Sequence, residues 1–304
     1  MRPWSKYVPL EKLTFWQEFY TFAAYNRMNM NEIYDFYNNG AEIGRLERGL
    51  GIVEFYRTKE ILERYIDNGK VIYDIGGGIG MYAAWLAKKG NEVHLIELAE
   101  SAVEYARANM MQDCQFVAET GNALKVNRPD ESADVVLLMG PLYHLRQREE
   151  RLIALRESFR VLKKGGLLVA AGISKFSSMT WALSVYGEKQ NGNLVEFLDD
   201  PVFFNMIKGE MTTGDHLRPK EYPKFIAESY FTTTEEMKSE IAVTGFVVEK
   251  AIAVEGCIWF TPHLLEKWED EASRERLLDI VRMTESEPEM MGMSPHFLVM
   301  ARKK

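Results

Sequence analysis

Val71-Ile72-Tyr73-Asp74-Ile75-Gly76-Gly77-Gly78-Ile79-Gly80 is a short apolar run that passes directly into a cluster of glycines. The residues after it, Met81-Tyr82-Ala83-Ala84-Trp85-Leu86-Ala87, are helix formers with no breaker before Gly90. The order is therefore strand, glycine turn, helix. Glycine lets the backbone turn tightly and come close to a ligand, and a helix N-terminus offers free N–H groups and a positive dipole end. A cofactor is the expected occupant, although a tight turn without a ligand would use the same residues.

Two cofactor readings share this spacing. From Gly78 the stretch reads Gly-x-Gly-x-x-Ala, a tolerated dinucleotide fingerprint. From Asp74 it reads Asp-x-Gly-x-Gly-x-Gly, which resembles motif I of the class I S-adenosylmethionine-dependent methyltransferases. Downstream, Glu92-Val93-His94-Leu95-Ile96-Glu97 forms a second strand ending in an acid 21 positions after Gly76, where a carboxylate can accept both ribose hydroxyls in either family. Ser101-Ala102-Val103-Glu104 has the form of a capping box opening a helix to about Met111. Gln115 to Glu119 is a third strand leading to Gly121-Asn122-Ala123, and Ala133 to Met139 is a continuous apolar strand suited to burial on both faces of a parallel sheet. A helix from Gln147 to Leu162 then runs into Lys163-Lys164-Gly165-Gly166, with lysines suited to a helix C-terminus and glycines suited to a left-handed exit. The next strand is Leu167 to Ala171.

The resemblance to the methyltransferase family extends over residues 66 to 173. The dinucleotide reading, with an NAD(P)-dependent oxidoreductase behind it, accounts for the glycines and Glu97 but not for Gly140-Pro141-Leu142-Tyr143-His144 or the Lys-Lys-Gly-Gly turn. The resemblance implies a Rossmann-like α/β fold with a seven-stranded, mostly parallel sheet in the order 3-2-1-4-5-7-6, and S-adenosylmethionine as cofactor. It also implies roles for particular residues. Gly76, Gly78 and Gly80 would meet the methionine moiety and Asp74 would support its amino group through water. Glu97 would hold the ribose, Leu98, Asn122 and Ala123 the adenine, and Met139 with Gly140 the central portion. Asn122 serves equally well as an ordinary turn residue.

The remaining chain divides around this core. Residues 1–66 read as a helical N-terminal region, with Phe15, Trp16, Phe19, Tyr20 and Phe22 crowded together and charged and aromatic residues from Tyr37 to Leu46 and Glu54 to Thr58. These cover the cofactor or form a solvated collar of ion pairs. Residues 67–173 and 233–304 supply the core. Residues 174–232, rich in aromatics and turn residues without a strand pattern, read as an inserted helical lid over the substrate, with a helical buttress as the alternative. Thr233-Thr234-Glu235-Glu236 is a further capping box, Gly245 to Val254 a sixth strand and Phe297 to Ala301 a seventh. A helical insertion, 262–285, separates the last two strands, as dimer contact or cavity wall.

With 46% hydrophobic residues and a net charge of −8 over 304 residues, the chain can bury a large core but lacks the basic excess that phosphate or anionic-membrane binding uses. Cys114 and Cys257 stand apart with no metal-ligand spacing. The five histidines show no paired ligand spacing, so no metal is expected. No apolar run reaches membrane-spanning length and the start lacks a secretory pattern, so the expected setting is cytoplasmic, with a small, partly apolar molecule as methyl acceptor at O or N and neither nucleic acid nor membrane as partner. His144 is the candidate general base, and Tyr143, Trp181 and His216 the candidate substrate contacts. A methyltransferase-like protein that binds cofactor without turnover is the reading from another class.

Overall fold

The computed structural model describes residues 34, 36–111, 114–184, 197, 199–223 and 225–304. The expected aromatic stripe from Phe15 to Phe22 and the middle of the expected lid, 185–196, lie outside the described residues.

Among the described residues, nine strands form two sheets. β1 (Val71–Ile75), β2 (Glu92–Glu97), β3 (Val117–Thr120), β4 (Ala133–Leu138), β5 (Leu162–Ile173), β8 (Phe246–Ala253) and β9 (His296–Lys303) make one sheet in the order β3-β2-β1-β4-β5-β9-β8. The first five run parallel, and β9 enters antiparallel between β5 and β8. This is the expected Rossmann-like topology. The other two strands, β6 (Asp215–His216) and β7 (Ser229–Tyr230), form a small antiparallel ribbon inside 174–232, where no strand was expected. Two-residue strands are too short to show alternation in a sequence.

Alternating side chains of the large sheet feed two cores. Ile72, Val135, Leu137, Val169, Leu298 and Met300 pack against helices α1 (Gly51–Glu63), α2 (Met81–Lys88) and α3 (Glu100–Ala108). Tyr73, Val136, Leu138, Leu168, Val299 and Ala301 pack against α5 (Arg148–Val161) and α8 (Thr234–Val243) on the opposite face. Each fully buried Leu or Val contributes about 1.5–3 kcal/mol relative to exposure, so this two-faced burial is why the strands read as continuous apolar runs.

Two local expectations change. Ser101 does not cap α3: the helix starts at Glu100 with Ala99 before it and ends at Ala108, and the backbone N–H of Ser101 donates instead to Asn38 Oδ1 at 3.0 Å. Glu97 takes the Ala99 N–H at 2.9 Å, so a strand-end carboxylate and a distant amide satisfy the donors that a local cap would have taken. The Lys-Lys-Gly-Gly phrase lies within β5 because α5 ends at Val161. Gly165 has the left-handed φ of 79° that the phrase implied, but Lys163 pairs with Asp134 at 2.8 Å rather than with helix carbonyls. The capping box at Thr233 and Glu236 forms as read.

The insertion between β8 and β9 forms α9 (Leu264–Glu269) and α10 (Glu271–Thr284). Leu264, Trp268, Leu277, Leu278 and Val281 enclose Trp259 and reach Val53 of α1. Glu285 pairs with Arg57 at 2.6 Å, and Arg282 with Glu60 at 2.6 Å, both on α1. Its packing role is to hold α1 against the sheet edge.

Candidate active site

A cavity of about 390 Å³ opens along the carboxyl ends of β1, β2, β4 and β5 and is lined by residues of β1, β2 and β5 and by Met139 and Gly140 just after β4. That is the crevice in which open α/β sheets bind ligands. The glycine turn floors one end. Gly76 has φ 71°, and a Cβ on it would lie 2.6 Å from Pro141 Cδ, while a Cβ on Gly140 would lie 2.6 Å from Gly76 O. The β1 and β4 ends can therefore approach only as glycines. Gly78 meets the cavity, but Gly80 does not line it: with φ 80°, it precedes α2, and a Cβ there would strike Phe116. The expected cofactor role of Gly80 is corrected to a turn and packing role.

Asp74 is wholly buried beneath Gly77, and neither carboxylate oxygen has a hydrogen-bond partner among the described residues. Burial and then the nearby Glu97 push its pKa up to about 7. A buried carboxyl left unpaired costs stability, and its presence beside the cavity points to a ligand amino group or water as the missing partner. Glu97 accepts hydrogen bonds from Gly78 N and Ala99 N, both at 2.9 Å. Burial raises its pKa despite those bonds. Leu98, Asn122, Ala123, Met139 and Gly140 also line the cavity. Asn122 Oδ1 accepts the Leu124 N–H at 2.9 Å, so the turn role is realised and the side chain faces the cavity with one acceptor already engaged.

The roof comes from a part of the chain that the sequence placed only loosely. Tyr34, Phe36, Tyr37, Ala41, Glu42 and Arg45, ahead of α1, all line the cavity. Arg45 binds Glu42 through Nε and Glu54 of α1 through both terminal nitrogens, at 2.6 and 3.1 Å. The Glu42 side chain lies 3.1 Å from where a Gly78 Cβ would stand. Within 174–232, by contrast, Ile226 is the one described residue in the lining.

Tyr143 and His144, in the short helix α4 (Pro141–His144), both line the cavity as their position after β4 implied. Ser229 Oγ stands 3.4 Å from His144 Nδ1, and the Glu228 backbone acts on the ring from the same ribbon. The Tyr37 hydroxyl lies 2.5 Å from Nε2, which accepts from it in the tautomer that carries its proton on Nδ1. Burial pushes the His144 pKa down to about 3. Trp181 and His216 are placed elsewhere. Trp181 packs among Phe197, Phe203 and Phe225. His216 has Nδ1 2.6 Å from Glu210 and Nε2 3.3 Å from the Ile226 carbonyl, and its ring stacks on Phe231. Both take part in the packing of 174–232, and neither lines the cavity.

Residues 73–170 match the family described as a methyltransferase domain. They form a methyltransferase domain of Rossmann-like topology. The unpaired Asp74, the glycine turn and Glu97 fit S-adenosylmethionine, the group that the resemblance implies. Among curated proteins the chain is similar to methyltransferase GfsG of Streptomyces halstedii, 29% identical over 121 residues, 38% of this chain and 42% of that one. It is also similar to an uncharacterized protein of Methanocaldococcus jannaschii, 38% identical over 52 residues, 17% and 20% of the two chains. The chain thus spans less than half the length of these relatives. In fold, the methyltransferase domain and its surroundings resemble an S-adenosylmethionine-dependent methyltransferase from Methanosarcina mazei, with 20% identity, 80% and 96% coverage and a TM-score of 0.53. An S-adenosylmethionine-dependent methyltransferase from Mesorhizobium loti is similar at 17% identity, 83% and 100% coverage and a TM-score of 0.53.

Several lining residues escaped individual notice: Tyr34, Phe36, Glu54, Tyr82 and His296. His296 immediately precedes the apolar run of the last strand, and that placement was its only sequence signal. Glu54, Glu255 and His296 each bring one donor atom within 4.8 Å of the others. Both Glu54 oxygens already receive the Arg45 fork, and Glu255 accepts from Ser294 Oγ and the His296 backbone N–H, both at 3.1 Å.

Proposed function

We propose that this chain transfers a methyl group from S-adenosylmethionine to an oxygen or nitrogen atom of a small, partly apolar molecule. The supporting observation is that the same cavity is also walled by Ala171, Ile173, Ile226, Val254 and Leu298 and lined by aromatic side chains. A cavity of this kind suits an apolar body held out of water, with few polar groups to orient it.

S-adenosylmethionine supplies a methyl group activated on sulfonium sulfur. The chain's own part is to orient the acceptor, exclude water and hold protons. The Arg45 network closes the roof over the glycine turn, and Tyr34, Phe36, Tyr37 and Tyr143 cover the rest. Tyr37 Oη, fixed by His144 Nε2, is a polar atom able to meet an acceptor hydroxyl or amine. A base whose conjugate acid has a pKa near 3 gives little drive for proton removal at pH 7, so His144 acts in this proposal chiefly by orienting Tyr37. Neither nucleic acid nor membrane is proposed as a partner, consistent with the acidic balance and with the lack, among the described residues, of a helix long and apolar enough to cross a membrane.

The test is transfer of isotopically labelled methyl from S-adenosylmethionine to a panel of small phenols, alcohols and amines, read by mass spectrometry. Labelled product with any of them supports the proposal. Cofactor binding with no transfer across hydroxyl and amine classes would favour a protein that binds without turnover.

A further inference from the structure

Beside the apolar wall of the cavity stands one polar group whose direction is fixed and whose outer atom is unused. β5 and β9 pair with Ile173 opposite His296 and Ala171 opposite Leu298, which sets His296 at the rim of an otherwise apolar wall. Its Nδ1 lies 2.7 Å from Oε1 of the fully buried Glu255, whose other oxygen accepts the His296 backbone N–H. Ring and backbone are thus gripped by one carboxylate. Nε2 has no partner among the described residues.

The charges around the ring decide what it can meet. Glu255 faces it directly, Glu54 approaches from α1, and Arg45 stands behind Glu54. Burial lowers the pKa of His296, but the two carboxylates outweigh burial and Arg45 and carry it to about 9. At neutral pH the ring holds both protons, and Nε2 is a donor. An anion at Nε2 would also meet Glu54 and Glu255, while a cation would meet the imidazolium and Arg45. A metal ion would have to displace the ring proton and compete with the Arg45 fork for Glu54. A neutral oxygen escapes each of these penalties and gives the donor a hydrogen bond beside the apolar wall of Ala171, Ile173 and Leu298.

Resting on the methyltransferase reading, we propose that His296 anchors the methyl acceptor by donating from Nε2 to a neutral oxygen, making the substrate class small apolar molecules that carry a carbonyl or comparable oxygen beside the atom to be methylated. The apolar body lies against Ala171, Ile173 and Leu298. His296 is in this sense a specificity-determining residue rather than a group that moves protons.

Two probes of nearly the same shape isolate the hydrogen bond: acetophenone, with a ketone oxygen, and 2-phenylpropene, with a methylene in its place. Binding of each is followed by NMR titration, with the free protein and with protein saturated with S-adenosylhomocysteine. The wild type is expected to prefer acetophenone by about tenfold, the usual scale for a hydrogen bond to a charged group. In His296→Asn, whose side-chain amide can still serve Glu255, the preference should fall to about one while S-adenosylhomocysteine affinity stays within a few-fold. In the wild type the preference should also disappear as pH passes about 9, since neither probe ionises there. A preference of one in the wild type, or one unchanged in His296→Asn, overturns the proposal. Failure of S-adenosylhomocysteine to bind the wild type would instead remove the methyltransferase reading, and the free-protein titration would still judge His296.

Discussion

Glu97 shows how one side chain serves turn and ligand together. Its carboxylate holds Gly78 N and Ala99 N, so replacing it leaves two backbone donors without partners as well as removing the ribose acceptor. Glu97→Ala should weaken S-adenosylmethionine binding by about 5- to 150-fold, equivalent to about 1–3 kcal/mol, in calorimetry. Glu97→Gln, which keeps one acceptor oxygen, should lose less. An unchanged affinity in the alanine variant would remove Glu97 from cofactor binding.

Asp74 carries a pH dependence whose sign follows from burial. Folding moves its pKa from an ordinary value near 3.9 up to about 7, so between those limits the folded chain binds more protons than the unfolded one. This group's contribution to stability therefore falls as pH rises from about 4 to about 7. A cationic ligand group beside it favours the carboxylate, so cofactor binding below pH 7 releases a proton and affinity should rise between pH 6 and 8. Asp74→Asn should flatten that rise, weaken cofactor binding and stabilise the ligand-free protein at pH 8. Calorimetry in buffers of different ionisation enthalpy reads the released proton.

His144 is judged by its pH profile. Because it is neutral across the working range and bonded to Tyr37, His144→Gln should lower kcat by less than about tenfold with no recovery at high pH. A fall of about 10²-fold or more at pH 7, recovered as pH rises, would show that it takes a proton.

At the scale of elements, the glycine turn after β1 and the start of α4 after β4 interlock so tightly that neither tolerates a side chain. Gly140→Ala sets a Cβ 2.6 Å from Gly76 O, a backbone atom that cannot rotate away. The expected cost is about 1–3 kcal/mol of stability, read from the denaturant midpoint, together with loss of cofactor affinity because the displaced atom belongs to the turn itself. The described part of 174–232 has the packing that the buttress alternative implied. Phe203, Met206, Ile207 and Ala182 form a small core of their own, and the β6–β7 ribbon brings Ser229 and the Glu228 backbone to His144. That part shapes the cavity from behind.

For the whole molecule, the roof and the sheet are joined through charges rather than through apolar contact alone. Arg45 ties Glu42 over the glycine turn to Glu54 on α1, and α9 and α10 brace α1 from outside. Arg45→Ala leaves the sheet's core untouched, so the fold should persist. A partly exposed pair of this kind is worth about 1–2 kcal/mol, which predicts dissociation of S-adenosylhomocysteine faster by about 5- to 30-fold in stopped-flow measurements. An unchanged rate would mean that the roof does not gate the cavity.

The core strands and the glycine turn were legible in the sequence because they depend on local signals, and the resemblance over residues 66 to 173 implied their order. Strands buried on both faces are apolar throughout, left-handed turns need glycine, and an acid closing β2 stands at a fixed distance from the glycine turn. Residues 71–80 and Glu97 could be read without knowing what surrounds them. The ribbon, the roof and the apolar wall could not. His296 and Glu54 lie 242 positions apart, Tyr37 and His144 lie 107 apart, and no periodicity links either pair. Trp181 and His216, expected as substrate contacts, pack against Phe203 and Glu210 and lie outside the cavity lining. Local chemistry thus determined the core strands and the glycine turn, while the acceptor side was decided by which distant side chains the closed sheet brought together and which of their atoms were left without a partner.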